Sequence, residues 1–197
     1  MIFKINELKA SEIYHLIAQT VIPRPIAWIV TEDDGVINIA PFSFFTPLSS
    51  SPATAIVSIG HKSDGSPKDT LANILKNKKC TICMVDDYHL EKMHLSSKSL
   101  DKDESESILF DIKTTMHVEE FPPMIENASV AYSCSLNQIV DLGESKTIPV
   151  IVNIENIFVD DKALESNEKP IVNFNPVARV AREYALLGEK IKAPKIP

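Results

Sequence analysis

The sequence predicts a mainly β fold of the α+β class, an antiparallel barrel with peripheral helices, formed by a single domain over residues 1–197. At least six segments have the apolar composition of strands, whereas helical spacing of apolar residues is confined to a few short segments. Turn residues between the strands are typical of the hairpins that join antiparallel strands. The chain of 197 residues is a little longer than an average domain of roughly 150 residues.

The N-terminal third predicts one helix and three strands. A helix is expected over Leu8–Thr20, because apolar residues recur there every three or four positions. Ile26–Thr31 is a compact apolar strand, and the Asp34–Gly35 pair after it is a strong hairpin signal. Val36–Ile39 is therefore the expected returning strand, and Ala53–Ile59 is a further buried strand.

The remaining chain predicts two more helices and three more strands. Lys68–Lys76 has one apolar side, with Ser66 as the expected N-cap and Pro67 in the first turn. Val177–Leu187 is expected to close the chain as a short helix. The charged and serine-rich Leu90–Leu109 is expected to be an exposed loop with short helical pieces rather than an acidic binding site. The strands are expected at Lys79–Val85, Val130–Val140 and Ile148–Val159.

Composition and charge exclude several classes of protein. There are 20 Lys and Arg against 27 Asp and Glu, a net charge of −7, whereas binders of nucleic acids or anionic membranes need a basic face. No apolar stretch approaches the roughly 20 residues that span a bilayer. The N-terminal residues lack the apolar run of a signal peptide, and three cysteines form no disulfide framework. A reducing, cytoplasmic setting is therefore expected.

Several weaker signals predict structure rather than chemistry. Cys80 and Cys83 form a C-x-x-C pair, but residues three apart on a strand point to opposite faces, so both are expected to be buried structural cysteines. The histidines lack the spacing of a metal site, and Ser133–Ser135 lacks a nucleophile elbow. Trp28 lies in an apolar strand, where a role in the core or an interface and a role in ligand stacking are both open.

Three segments contain residues that a barrel without a ligand site would not need. The first is Ile22–Trp28, in which Arg24 stands between Pro23 and Pro25 and its backbone is restricted. Such an arrangement is typical either of a strand cap or of a cation fixed at the edge of a ligand. These two interpretations are equally supported by the residues alone.

The second segment, Asn38–Thr46, contains three phenylalanines within four positions, split by one serine. Pro41 and Pro47 are expected to stop regular strand pairing across it. Apolar walls with a few hydrogen-bonding groups suit a flat aromatic ligand. Structural packing explains the same composition equally well.

The third segment joins a strand end at Ser58–Gly60 to a helix start at Gly65–Thr70, with Asn73 one turn later. Free N–H groups and the positive dipole end at a helix start favour a phosphate, and Lys68 adds a positive charge. The loop has neither the Walker A nor the G-x-G-x-x-G pattern, and a surface lysine is the ordinary alternative. Together the three segments suit a ligand with a flat ring at one end and a monophosphate at the other, which is the shape of FMN.

The run PRPIAWIVTEDDGVINIAPFSFFTPLSSSPATAIVSIG, followed by DGSPKDTLANI, resembles the flavin reductase-like family of FMN-binding split barrels, to which flavoredoxins belong. The family pattern PRPI-A-V-T, a glycine turn, N-x-APFSFF, an apolar strand and KDT-x-x-N stands here in order. Asn173–Tyr184 more loosely resembles the closing segment of the family. After its arginine the family more often has glycines, where this chain has Ala181 and Arg182.

The resemblance implies a homodimeric split β-barrel with one FMN per subunit near the dimer interface. It also implies cofactor-binding positions in four groups. These are Arg24, Pro25, Ile26 and Ala27 beside the isoalloxazine ring; Asn38, Ser43, Phe44, Phe45 and Thr46 along the ring and ribityl chain; Ser58, Ile59 and Gly60 on the approach to the phosphate; and Lys68, Thr70 and Asn73 around the phosphate.

The implied function is that of an NAD(P)H-dependent FMN reductase or flavoredoxin-like oxidoreductase. In this class the flavin carries the chemistry, since its N5 accepts hydride from the nicotinamide C4 of NADH or NADPH, so no catalytic side chain is expected. Backbone N–H groups near Ser43–Thr46 are expected to bond flavin N5 or O4, and Arg24 to stabilise negative charge on the reduced ring. The main alternative is a non-enzymatic FMN electron carrier for a redox partner protein. A barrel that binds another cofactor or none, and a purely structural dimer module, are the remaining alternatives.

Overall fold

The computed structural model describes residues 1–166 and 170–196. The helices are α1 (Ala10–Thr20), α2 (Asp69–Asn77), α3 (Leu90–Leu95) and α4 (Glu106–Leu109), with 3-10 turns at Ile5–Glu7, Asp87–His89 and Asp161–Ala163. The strands are β1 (Arg24–Pro25), β2 (Ala27–Asp33), β3 (Val36–Phe42), β4 (Phe45–Ser50), β5 (Ala53–Gly60), β6 (Lys79–Met84), β7 (Thr114–Thr115), β8 (Met124–Ile125), β9 (Val130–Ile139), β10 (Thr147–Val159), β11 (Leu164–Ser166), β12 (Ile171–Val172), β13 (Val177–Val180) and β14 (Glu183–Leu186). None of the helices in these described ranges is long and apolar enough to cross a bilayer.

Seven strands form one antiparallel sheet in the order β3-β2-β6-β9-β10-β5-β4. The two edge strands, β3 and β4, are separated in the chain only by Ser43 and Phe44. The Cα atoms of Phe42 and Phe45 therefore lie within about 11 Å of each other, since three peptide steps reach no further. The sheet curls until its edges meet at this corner, but β3 and β4 do not pair, so the predicted barrel is not closed.

The sheet separates two hydrophobic clusters. One contains Ile29, Cys80 and Leu71, and the other contains Trp28 and Cys83. The alternation of side chains along a strand places Cys80 and Cys83 on opposite faces, and both are buried, as predicted. Trp28 is fully buried and its Nε1 donates to Ser96 Oγ at 2.9 Å, which makes it a core residue.

The strands predicted from apolar composition are confirmed, with bounds shifted by a few residues, and so is the N-terminal helix. The Asp34–Gly35 hairpin is also confirmed. Both residues have positive φ, 50° and 81°, as a two-residue turn of the mirror-image type requires.

The predicted C-terminal helix over Val177–Leu187 is wrong. This segment forms the β13–β14 hairpin, in which Val180 pairs with Glu183 across a two-residue turn. β13 also pairs with β1, with Arg179 opposite Arg24. The physical reason is this long-range ladder, which outweighs the weak helical preference of a short alanine-containing segment.

Two predictions about prolines and capping are also corrected. Pro41 lies inside β3 opposite Trp28 and does not interrupt the pairing. Pro47 lies inside β4 opposite Ala55, where the pairing continues but its register shifts between Pro47 and Ser49. They are tolerated because both strands are edges, where a missing N–H group faces outward. At α2 the N-cap is Lys68 rather than Ser66.

The charged segment over Leu90–Leu109 is exposed over much of its length and contains α3 and α4, as predicted. Four of its residues, Met93, Ser96, Ser105 and Glu106, are nevertheless buried. The Ser105 hydroxyl donates to the Ile37 carbonyl, and Glu106 Oε2 accepts from the Ile39 N–H at 2.8 Å. The segment thus satisfies backbone groups on the outer edge of β3, and it is not simply a solvated insert.

Candidate functional site

A cleft runs beside β3, between that strand, the start of α2 and residues 96–100. It has two parts, which share Pro41 and Ser97 in their walls and are therefore adjacent. The wide end has a volume of about 250 Å³ and is lined by Tyr14, Ile26, Pro41, Phe42, Ser43, Met93, His94, Ser97, Arg179 and Tyr184. The narrow end has a volume of about 70 Å³ and is lined by Asn38, Ala40, Pro41, Lys62, Lys68, Asp69, Thr70, Ser96, Ser97, Lys98, Ser99, Leu100 and Glu106.

The narrow end is built on the start of α2. The helix is amphipathic, and Leu71 and Ile74 fix it by packing into the core. Its N-cap, Lys68, makes no side-chain capping bond, so the first N–H groups of the helix remain available to a ligand. These N–H groups and the helix dipole make the narrow end favourable for an anion.

A buried hydrogen-bond network holds the polar side chains beside this helix start. Asn38 Nδ2 donates to Thr70 Oγ1 at 2.9 Å and to Thr31 Oγ1 at 3.2 Å. Asn73 Nδ2 also donates to Thr31 Oγ1, at 3.1 Å. Within the described residues no acceptor takes the Thr70 hydroxyl proton. Thr70 can therefore donate that proton into the narrow end.

The charges at the narrow end are partly balanced within the protein. Lys62 Nζ lies 2.9 Å from Asp69 Oδ1, so these two charges offset each other. Lys68 Nζ lies 5.7 Å from the centre of the Phe42 ring, and the ion pairs of the described residues do not include it. Burial is the main cause that raises the pKa of Glu106 above its ordinary value. Lys68 and Lys98 are therefore the two lysines of the narrow end that have no ion pair among the described residues and can meet an anionic ligand.

The wide end is walled by aromatic rings and by the β13–β14 hairpin. The Arg179 guanidinium lies 4.8 Å from the Tyr184 ring centre, and His94 Nδ1 lies 2.9 Å from the Tyr184 hydroxyl. The backbone N–H groups of Ser43 and Phe44 have no acceptor among residues 1–166 and 170–196. Of these two residues only Ser43 lines the wide end, so this end offers flat apolar surface, a positive charge and one backbone donor.

Arg24 lies beneath the wide end rather than in its wall. It is buried, and its Nη1 donates to the carbonyls of Ala18 and Val21, where α1 ends. Its guanidinium lies 5.8 Å from the Phe44 ring centre, while its Nε has no partner in the described part of the chain. Burial is the main cause that lowers the pKa of Arg24. Arg24 thus caps the end of a helix rather than the strand end expected from sequence, and its contact with a ligand stays a prediction.

The structure brings five of the predicted positions to the cleft. Ile26 and Ser43 line the wide end, and Asn38, Lys68 and Thr70 line the narrow end. The other ten do not line it, and their contact with a ligand stays a prediction. Ala27, Phe45, Ile59 and Asn73 are buried in the protein, so the first three offer only backbone atoms, and Asn73 acts through Thr31. Phe44 stacks on Tyr14, with 5.9 Å between ring centres, and Ser58 N–H donates to the Phe44 carbonyl at 2.8 Å. The remaining positions are Arg24, Pro25, Thr46 and Gly60.

Several cleft residues were missed from the sequence. Lys62 stands in a polar turn that carried no distinguishing signal, and His94 and Ser97 belong to the segment interpreted as a solvated insert. Arg179 and Tyr184 lie in the segment that resembles the closing part of the family, and this resemblance was the one available signal. These residues meet only because the hairpin and α3 fold over β3.

Comparisons with known proteins found several that are similar over nearly the whole chain. The uncharacterized protein YwrF of Bacillus subtilis is 31% identical in an alignment of 201 residues. The alignment covers 96% of this chain and 96% of YwrF. Nitrilotriacetate monooxygenase component B from Bacillus cereus superposes with a TM-score of 0.91 at 24% identity, covering 98% of both chains. The 2-nitrobenzoate 2-nitroreductase NbaA of Pseudomonas fluorescens superposes with a TM-score of 0.89 at 25% identity, covering 100% of this chain and 96% of NbaA.

The family model described as flavin reductase like domain matches residues 19–182. This range contains the seven-stranded sheet, the narrow end and all but Tyr14 and Tyr184 of the wide end. The chain therefore belongs to the flavin reductase-like family.

Proposed function

We propose that this chain is an FMN-binding oxidoreductase, an NAD(P)H-dependent flavin reductase of the flavoredoxin-like kind, folded as one split-barrel domain. The observation that carries the proposal is the adjacency of the two ends of the cleft. An aromatic wide end of about 250 Å³ shares Pro41 and Ser97 with a cationic narrow end at a helix start. A flat ring joined by a short chain to a monophosphate matches this order of environments.

The donors at the narrow end fit a phosphate. Lys68 supplies an unpaired charge, Thr70 a free hydroxyl proton, and α2 its first N–H groups. Lys62 neutralises Asp69, so this carboxylate is prevented from repelling the phosphate at full strength. We therefore propose that Lys68 and Thr70 hold the phosphate, and that Asn38 and Asn73 orient Thr70 and its neighbour Thr31.

The wide end fits a tricyclic ring with polar atoms along one edge. The free N–H group of Ser43 would hydrogen-bond that edge, while Ile26, Phe42 and Tyr184 would cover its apolar surface. When bound, FMN would supply the ability to take hydride from a nicotinamide and pass electrons onward. Arg179, which lines this end, would stabilise negative charge on the ring electrostatically. Arg24 would act indirectly, by fixing the end of α1.

We further propose that the chain forms a homodimer in the cytoplasm and passes electrons to an acceptor, which includes a redox partner protein as one possibility. Exposed apolar side chains near β1 and β4 support the dimer. Val21, Ile22 and Leu48 are 58%, 47% and 51% exposed. Covering such side chains with a second copy would remove them from water. Light scattering on the purified protein tests this directly, and a monomer at micromolar concentration would contradict it.

The test of the proposed function begins with the purified protein. The bound chromophore is released and identified, and the stripped protein is titrated with FMN while flavin fluorescence is followed. The flavin-loaded protein is then mixed with NADH and NADPH by stopped flow. Bleaching of the flavin band within a second by either donor is expected. Binding of FMN without bleaching would favour the non-enzymatic carrier, and failure to bind FMN would overturn the proposal.

A further inference from the structure

A second cleft lies beside the wide end and has no part in the proposed binding of FMN. This side cleft has a volume of about 480 Å³ and lies between α1 and the β13–β14 hairpin, lined by Tyr14, His15, Ala18, Gln19, Arg179, Ala181, Arg182 and Glu183. Tyr14 and Arg179 line both the side cleft and the wide end. A ligand in the side cleft would therefore lie next to the flavin ring.

The side cleft is positively charged in an acidic protein. The whole chain carries a net charge of −7, yet the side cleft has two arginines against one carboxylate, that of Glu183. Arg182 Nη2 lies 2.7 Å from His15 Nε2. Because a guanidinium only donates hydrogen bonds, His15 is the acceptor and holds Arg182 against α1. The other donors of Arg182 have no partner among the described residues, so its planar fork remains available to a ligand.

The turn that presents Arg182 has an unfavourable backbone. Ala181 has φ +49°, in the left-handed region that glycine adopts at less cost. The family resemblance leads us to expect glycines at this turn, where Ala181 and Arg182 stand instead. Strained backbone of this kind is concentrated at sites of function. Arg182 is therefore held over the side cleft by a turn whose backbone is unfavourable for its alanine.

We propose that the side cleft binds a small aromatic carboxylate as a ligand next to the flavin ring. Arg182 would hold the carboxylate through its guanidinium fork, the geometry in which arginine recognises planar anions. The exposed Tyr14 ring would cover the aromatic part of the ligand, on the side that faces the wide end. This inference names a ligand class for the region beside the site described above and rests on the proposed function.

The test uses 4-fluorobenzoate and its uncharged analogue 4-fluorobenzamide as probes, with binding followed by fluorine NMR on the flavin-loaded protein. The carboxylate is expected to bind at least about 10-fold tighter than the amide, since hydrogen bonds to charged groups are the stronger ones. Arg182→Ala should remove this preference, and Arg182→Lys should restore only part of it, because an ammonium cannot form the fork. Lys162→Ala, which removes an exposed cation on a distant turn, should change nothing.

The FMN dissociation constant is measured for the same variants. One outcome is that FMN binds the wild type and Arg182→Ala with equal affinity, while 4-fluorobenzoate and 4-fluorobenzamide bind the wild type with equal affinity. In that case the side-cleft proposal fails and the proposed function stands. If Arg182→Ala weakens NADH instead and leaves 4-fluorobenzoate unaffected, the side cleft serves the dinucleotide and the proposal is overturned. If neither protein binds FMN, the proposed function fails on its own evidence.

Discussion

The two ends of the cleft differ in how they are held. The narrow end stands on α2, which has four buried residues, among them Leu71 and Ile74 in the core and Thr70 in the polar network. The wide end is walled partly by α1, of which only Ala18 is buried, and by a terminal hairpin. The narrow end is thus an extension of the core, whereas the wide end is assembled from peripheral elements.

This difference separates two tasks. Groups fixed by the core are already in place when a ligand arrives, so binding loses little free energy in ordering them. Peripheral elements open and shift at lower cost, because they have few buried contacts. We expect the narrow end to determine how tightly the flavin binds, and the wide end to determine which reactant approaches the ring.

The largest expected effect is on flavin affinity at the narrow end. The double variant Lys68→Ala, Thr70→Ala removes two hydrogen bonds to a charged group, at roughly 1.5–3 kcal/mol each, and should weaken FMN binding by about 10²- to 10⁴-fold. The FMN dissociation constant is measured by fluorescence titration. The matched control Lys113→Ala, Thr115→Ala lies outside the cleft and should leave the constant unchanged. A loss smaller than tenfold in the first variant would mean that the phosphate binds elsewhere.

The next largest expected effect is a difference in the free energy of unfolding between a variant in α2 and a variant in α1. Leu71→Ala should lower the free energy of unfolding by about 2–5 kcal/mol, because Leu71 is fully buried and its truncation leaves a cavity. Ile17→Ala on α1 should cost less than about 1 kcal/mol, because Ile17 is 42% exposed. Urea denaturation of both variants measures the difference. Equal losses would show that α1 is held as firmly as α2, and the contrast between the two ends would then be wrong.

The smallest effect concerns Glu106, which joins the narrow end to the edge of β3. Its pKa in the folded protein is raised above the ordinary value of 4.5, mainly by burial. Between the two values the folded protein keeps a proton that the unfolded chain has released. The stability of the wild type should therefore decrease as the pH rises through this window, and stay lowered above it.

The variant Glu106→Gln tests this reasoning, since its side-chain oxygen can still accept the hydrogen bond from the Ile39 N–H. Melting temperatures of both proteins are measured from pH 4 to pH 8. The variant is expected to gain stability relative to the wild type as the pH rises. Parallel curves for the two proteins would show that Glu106 does not carry the penalty of a buried charge.

Much of the sheet was predictable from local patterns. The apolar runs that became β2, β5 and β10 are long enough to be unambiguous, and the Asp34–Gly35 turn has the one pair of residues best suited to its two positive φ angles. The helix start at Lys68 was also predictable to within two residues. Local chemistry decides each of these features, so the neighbouring residues in the sequence are sufficient to predict them.

The rest depends on contacts between residues far apart in the chain. The hairpin at Val177 exists because β13 pairs with β1, about 150 residues earlier in the chain. No local sequence pattern predicts such a partner. Glu106 looked like one more charge in a solvated run. Nothing near it in the sequence shows that the Ile39 N–H has no partner strand and needs a side-chain acceptor. The wide end has the same origin, since Tyr14, His94 and Tyr184 come from three distant segments.

An open sheet exposes two rows of backbone groups that could recruit strands from other molecules, and this chain blocks both rows. Along β3, Ser105 and Glu106 already occupy the outward carbonyl of Ile37 and N–H of Ile39. Along β4, Pro47 has no N–H to offer, and the ladder is irregular between Pro47 and Ser49. Fibre-like growth through edge-to-edge stacking is thereby disfavoured, although the sheet never closes on itself.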